Sequence, residues 1–260
     1  MRGIKDKVTI VTGGAQGIGK GIATCFAQRG AKVIVADIQG EKADATAAEL
    51  RELGVEAEGY KINLTENDEI EAMMKYVYEK YGSIDILINN AGVQIREWAT
   101  DFPLDKFDFV LNLNLRAYYI ASRVAARYMK EQGGGAIVCT SSGNSECFTS
   151  KRSAYNISKA GVNGLVATLG VEWGRFGIRI NGVAPGYLMT EMVKKGIEEG
   201  NIDADNIMQV IPMKRFLDVS EVGEAVCFLA SDNASGITGQ VLFVDGGWNK
   251  CGLPEGPDGP

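Results

Sequence analysis

From one end of the chain to the other, short apolar runs rich in β-branched residues alternate with segments of helical periodicity, and this alternation restricts the fold more than any other property. The strand-like runs occupy residues 8–12, 32–37, 56–62, 84–89, 135–141, 178–184 and 240–244. Helical patterns fill residues 17–29, 41–53, 66–81, 104–130, 154–175 and 220–231. Most of the runs are apolar at nearly every position, as strands are when helices cover both faces of a parallel sheet. Successive parallel strands are joined by right-handed crossovers, so the pattern predicts an α/β chain with one doubly wound parallel sheet of about seven strands and helices on both faces. No linker or repeat interrupts it, and residues 1–251 are expected to form a single domain. Residues 252–260, rich in Gly and Pro, read as a flexible tail. Only the stretch 186–211 breaks the rhythm, and a long irregular insertion at a sheet's carboxyl edge suits a substrate lid.

Composition narrows the chemistry. A net charge of -6 argues against nucleic acid, which demands clustered cations. The five cysteines are scattered and odd in number, with no CxxC pair, which fits reduced thiols in the cytoplasm better than a disulfide frame or zinc site. No apolar run approaches transmembrane length, and Met1 to Asp6 leads straight into a buried type of strand, so neither a membrane span nor a signal peptide is expected. The sequence contains no histidine. A Ser-His-Asp triad, a histidine metal site and a histidine base are therefore excluded, no metal is expected, and proton transfer must rest on Tyr, Lys, Cys or a carboxylate.

Thr12-Gly13-Gly14-Ala15-Gln16-Gly17-Ile18-Gly19 follows the first strand and opens the first helix. Glycines there permit a tight turn and close approach of a pyrophosphate, while the helix N-terminus supplies N–H donors and a favourable dipole. A glycine-rich turn alone is equally a structural device. Here an acidic residue, Asp37, ends the second strand, at a distance that suits a carboxylate gripping an adenosine ribose. The sheet is thus of Rossmann type, and its domain is expected to bind a dinucleotide.

Tyr155 and Lys159 stand four apart at the start of a helical pattern and share a face. A free phenol titrates near pH 10, but a neighbouring ammonium, together with the positive ring of an oxidised nicotinamide cofactor, favours the phenolate and lowers that value. Such a pair can take a proton from an alcohol or return it to a ketone. A lone YxxxK is more often a solvated helix pair, so its significance rests on the company it keeps.

The TGxxxGxG spacing, the Tyr155/Lys159 pair, Asn89-Asn90-Ala91-Gly92 after the fourth strand and Pro185-Gly186-Tyr187-Leu188-Met189-Thr190 after the sixth together resemble the short-chain dehydrogenase/reductase superfamily over nearly the whole chain. The resemblance implies a nicotinamide-dependent oxidoreductase acting on CH–OH groups. It assigns Ser142, thirteen residues before Tyr155, to holding the substrate oxygen, with Ser141 left as a strand-end hydroxyl bonding backbone. It assigns Asn114, in preference to Asn112, to a water relay toward Lys159. The catalytic set is then Asn114, Ser142, Tyr155 and Lys159. Cofactor contacts are expected from Gly13, Gln16, Gly17, Ile18, Gly19, Asp37, Ile38, Asn63, Leu64, Asn90, Gly92, Tyr155, Lys159, Pro185, Gly186, Leu188 and Thr190. Asn63 departs from the aspartate usual against adenine, and its amide oxygen is expected to accept that hydrogen bond instead.

Asp37 would repel a 2′-phosphate, and neither Gln16 nor Ile38 is the arginine that receives one, so NAD is the expected cofactor; Lys20 and Lys42 are the nearby cations that qualify this. Three local stretches, 91–96, 142–146 and 184–192, resemble the sugar-acid branch of the superfamily, such as gluconate 5-dehydrogenase and 2-deoxygluconate dehydrogenase. On that resemblance Gln94, Arg96, Ser142, Glu146 and Tyr187 face a small, polar, hydroxylated substrate, with Arg96 against a carboxylate. Arg96 and Glu146 read equally well as exposed charges, and Lys151 and Arg152 read as solvated loop cations. The family further implies a homotetramer built on segments 104–130, 154–175 and 241–248. A 3-ketoacyl or steroid reductase of the same fold, and a non-catalytic NAD sensor, are the alternatives; retention of Tyr155 and Lys159 argues against the sensor.

Overall fold

The computed structural model describes residues 1–251, and the expected tail at 252–260 lies outside the described residues. Seven strands form one sheet: β1 (Val8–Thr12), β2 (Lys32–Asp37), β3 (Ala57–Lys61), β4 (Ile86–Asn89), β5 (Gly135–Thr140), β6 (Ile178–Pro185) and β7 (Val241–Val244). Their order is β3-β2-β1-β4-β5-β6-β7, every pairing is parallel, and Ile10 of β1 stands between Ile34 of β2 and Leu87 of β4. All five residues of β1 are buried, as expected for a central strand covered on both sides.

Two apolar layers flank the sheet. On one face α1 (Gly17–Ala27), α2 (Gly40–Arg51) and α9 (Val219–Ala230) bury Phe26, Leu50 and Val226 against Val11, Val35 and Val183. On the other, α3 (Asn67–Tyr81), α5 (Ala117–Glu131) and α6 (Ser153–Trp173) bury Met73, Tyr118 and Val166 against Ile10, Ile34 and Ile137. Alternate residues of the central strands serve opposite layers, so β1, β4 and β5 carry no charged residue and are polar only at Thr9, Thr12, Asn89 and Thr140. Local signals set the helix ends. Gly82 ends α3 in the left-handed conformation at φ 79°, with its N–H donating to the Tyr78 carbonyl. Asp218 and Glu221 form a capping box on α9, with Arg215 bound to both carboxylate oxygens of Glu221.

Two segments differ in detail from the periodicity. The helix expected over 104–130 is α4 (Leu104–Leu111) and α5 joined by a π-helical turn, Asn112–Arg116. The stretch 186–211 is not irregular throughout: it holds the short helices α7 (Glu191–Glu198) and α8 (Ala204–Gln209), capped by Thr190 and Asp203. Strand order reverses between β1 and β4, so the loops leaving these two strands diverge and open a crevice at the carboxyl edge of the sheet.

Candidate active site

Into that crevice opens a cavity of about 500 Å³ lined by the loop after β1, the ends of β2 and β3 and the loop after β4. Glycine is required twice in the β1 loop. Gly17 adopts φ +55° with open space where a side chain would project, and a Cβ on Gly19 would stand 2.0 Å from the Gly13 carbonyl oxygen. Gln16 precedes α1 without a side-chain cap, which leaves the helix's first N–H groups to an incoming anion. Asn90 stitches the loop in place, its Nδ2 donating to the carbonyls of Thr12 (3.1 Å) and Gly13 (3.2 Å) and its Oδ1 accepting from Thr140 Oγ1. Asn89 steadies the sheet beneath by donating to Ser122 Oγ.

At the end of β2 the Asp37 carboxylate is buried and accepts from the backbone N–H of Ala15 (3.1 Å) and Gln39 (3.0 Å), while Ile38 beside it is 61% exposed and lines the same cavity. Lys20, a nearby cation, is paired with Glu49. Asn63 and Leu64 line this cavity too. The Asn63 amide oxygen, however, accepts from Thr65 N (3.1 Å) and Thr65 Oγ1 (2.8 Å) in a local turn, so both lone pairs expected for adenine are engaged. These features fit a dinucleotide: an uncapped helix start and bare glycine backbone for the pyrophosphate, and a carboxylate for the ribose.

A second cavity, about 450 Å³, adjoins the first at Ile18 and is lined by Ser142, Tyr155, Gln94, Arg96 and Tyr187. The π turn brings Asn114 inward, fully buried, where its amide exchanges two 2.9 Å hydrogen bonds with the Val93 backbone and donates to Ser158 Oγ. Asn112, one turn edge away, accepts from Arg116 instead. A side-chain carbon on Gly92 would meet Asn114 Oδ1 at 3.1 Å and Lys159 Nζ at 3.7 Å, so Gly92 keeps this corner open. Lys159 is buried, donates to the Thr140 carbonyl (2.7 Å), and its ammonium lies 5.8 Å from the centre of the Tyr155 ring; burial pulls it down to about 8. Ser141 binds the Lys159 carbonyl and Asn163, clamping α6 to β5.

Burial raises the Tyr155 phenol above its ordinary value, and the neighbouring Ser142 hydroxyl and the Arg152 charge only partly offset this. The expected lowering is thus not achieved by the protein's groups alone, because desolvation of the phenolate outweighs them. Pro185 ends β6, and a side chain on Gly186 would strike the Asp245 backbone at 2.7 Å. Leu188 pairs in a bridge with Leu217, and Thr190 caps α7 through its hydroxyl while lining the substrate cavity.

Two substrate-side expectations are corrected. Glu146 is exposed, accepts from Asn249 Nδ2 (2.8 Å) and faces Lys250; the short 3-10 turn Gly143–Ser145 carries it outside the cavity lining. Arg152 is not a solvated cation: it is half-buried, lines the cavity and donates to Asn144 Oδ1. Its place immediately before α6, three residues ahead of Tyr155 in the first turn, was the available signal. Lys151 does remain exposed, over the Trp98 ring. Asn144, Asp203, Asn206 and Trp248 also line the cavity; they fall in the stretches 142–146, 186–211 and 241–248, but none was expected individually as a site residue.

The family model described as enoyl-(acyl carrier protein) reductase matches residues 13–249. The chain is 37% identical to the 3-oxoacyl-[acyl-carrier-protein] reductase FabG of Thermotoga maritima, over 94% of this chain and 98% of that protein. It is 35% identical to the 5-keto-D-gluconate 5-reductase of Escherichia coli K12, over 94% of this chain and 96% of the relative. Among solved structures, NAD+-bound xylitol dehydrogenase superposes with a TM-score of 0.90 at 29% identity, covering 95% of this chain and all of the other.

Proposed function

Since the chain belongs to the short-chain dehydrogenase/reductase superfamily and is an oxidoreductase acting on alcohol and ketone groups, we propose that it is an NAD-dependent dehydrogenase of a small hydroxylated substrate, a sugar acid, sugar or polyol. The observation that carries this is the meeting of the two cavities at Ile18, which sets Ser142 and Tyr155 beside the cleft that fits a dinucleotide.

The bound nicotinamide would supply the acceptor or donor of hydride. Tyr155 takes the proton from the substrate hydroxyl in oxidation and returns it to the ketone in reduction. Ser142, lining the same cavity as the phenol, holds the substrate oxygen against it. Lys159, still mostly protonated at neutral pH with a value of about 8, keeps a positive charge over the Tyr155 ring. Asn114 fixes the Val93 backbone at the rim of the same corner.

Asp37 supports NAD over NADP, because its carboxylate holds the ribose end of the cleft and Lys20 is already engaged by Glu49. Gln94, Arg96 and Asn144 supply polar groups for a hydroxylated substrate, alongside the apolar Ile18, Leu188, Val193, Ile207 and Phe216. Residues of the 186–211 stretch line both cavities, Met192 one and Val193 the other, which supports its reading as a lid. An apolar groove between α4–α5 and α6, lined by Phe109, Leu115, Tyr119 and Leu165, supports burial of these helices in a homotetramer. Five scattered cysteines with no CxxC pair suit the cytoplasm; among the described residues no helix is long and apolar enough to cross a membrane.

The test is Tyr155→Phe, assayed by absorbance of reduced cofactor on sugar acids, polyols and ketones. Removing a positioned acid/base group costs about 10²–10⁴ in rate, while affinity for the cofactor stays. Wild-type turnover by the variant would overturn the reading.

A further inference from the structure

The substrate cavity holds a second guanidinium close to Arg96, and the backbone accounts for the pairing. The loop after β4 and the segment before α6 are joined by a parallel bridge between Glu97 and Arg152, with Glu97 N donating to the Lys151 carbonyl at 3.0 Å. Arg96 and Arg152 flank that bridge, and both line the same cavity. Arg152 is half-buried and donates to the neutral Asn144, with Tyr187 beside it. Asn144 is itself held by Thr149 (2.6 Å) and Asn156 (3.3 Å), so the guanidinium is positioned by a small polar network. Burial, then the charge of Arg96, disfavours the protonated form of Arg152. Among the described residues no carboxylate pairs with either arginine. A half-buried cation beside another cation is costly unless an anion is supplied. The cavity lining contains a single carboxylate, Asp203, which caps α8. Two guanidinium groups against one carboxylate leave a single positive charge, matched by one anionic group.

We propose that Arg152 anchors an anion subsite completed by Arg96, and that the substrate is a hydroxy or keto acid whose single carboxylate spans the two guanidinium groups. This rests on the dehydrogenase reading above and narrows it from hydroxylated compounds at large to monocarboxylic acids. Because Arg152 immediately precedes α6 and Tyr155 lies in its first turn, the subsite also fixes how far the carboxylate stands from the carbon presented to the phenol.

The probes are gluconate and the uncharged xylitol, bound in the presence of NADH so that oxidation cannot proceed, to wild type, Arg152→Gln and Arg152→Lys. Charge-assisted hydrogen bonds to a carboxylate predict that the gluconate-to-xylitol affinity ratio falls about 10- to 150-fold in Arg152→Gln and largely recovers in Arg152→Lys. An unchanged ratio, whether both affinities fall or neither does, overturns the subsite. A measurement on wild type covers misfolding of the variant: gluconate, and not xylitol, should shield Arg152 from modification by phenylglyoxal, and equal labelling with both overturns the proposal. Polyol oxidation without selective gluconate binding sinks the anion subsite and leaves the dehydrogenase standing. Arg152-dependent gluconate binding without cofactor reduction on any substrate does the reverse.

Discussion

Replacing Lys159 with Met should abolish turnover and yet stabilise the protein at neutral pH. Burial lowers the Lys159 ammonium from 10.5 to about 8, and no acidic partner compensates for its desolvation. A shift of that size corresponds to about 3 kcal/mol of destabilisation of the folded state at 1.4 kcal/mol per pH unit. The sign follows from proton counting. Below pH 8 the lysine is protonated in both folded and unfolded chains, and the folded chain bears the full cost. Between pH 8 and 10.5 the unfolded chain binds the extra proton, so wild-type stability rises with pH until the cost has gone. Methionine escapes the cost but orphans the Thr140 carbonyl, which now accepts from Nζ at 2.7 Å, at about 1–2 kcal/mol. The net expectation at pH 7 is a gain of about 1–2 kcal/mol, or roughly 2–6 °C in melting temperature for a chain of this size. Thermal unfolding of both proteins from pH 7 to 10.5 measures it. The other groups are common to both proteins, so their difference reads Lys159 together with the Cys139 thiol it interacts with. The variant's advantage should shrink by about 3 kcal/mol over that range and reverse. A variant less stable than wild type at pH 7, or a difference that does not move with pH, would refute the argument.

Asp37→Ala should bring the kcat/KM values for NAD and NADP closer, because a carboxylate that repels the 2′-phosphate is removed; a wild-type protein that prefers NADP would contradict the cofactor assignment. Sedimentation velocity at micromolar concentration should show four chains of 27.9 kDa each, held partly through the groove lined by Phe109 and Leu165, and a monomer would refute the assembly. At that concentration, Leu165→Glu should shift the boundary toward smaller species by placing an unpaired charge in the contact.

The sequence by itself determined the sheet. The central strands bury both faces, so their pattern is a largely apolar run, and the run Val8–Thr12 needs no knowledge of Lys32–Asp37 or Ile86–Asn89 to be read as a strand, whereas the edge strands β3 and β7 are only partly buried. The Gly17 and Gly19 requirements were legible for the same reason: backbone conformation and close approach within one loop are local. Residues four apart on a helix, such as Tyr155 and Lys159, also carry their geometry in their numbering. Only the tertiary structure decided what spans elements. The inward turn of Asn114 depends on one π-helical turn that no periodicity announces. The protonation balance of Tyr155 depends on burial, a sum over all neighbours that outweighed the charges near it. Glu146 and Arg152 stand six residues apart on one connection, and exchanged their expected roles because the turn at Gly143–Ser145 leads one toward Asn249 while the bridge to Glu97 holds the other in the cavity. The direction of a loop side chain is set by contacts with distant segments, and a linear pattern holds no record of them.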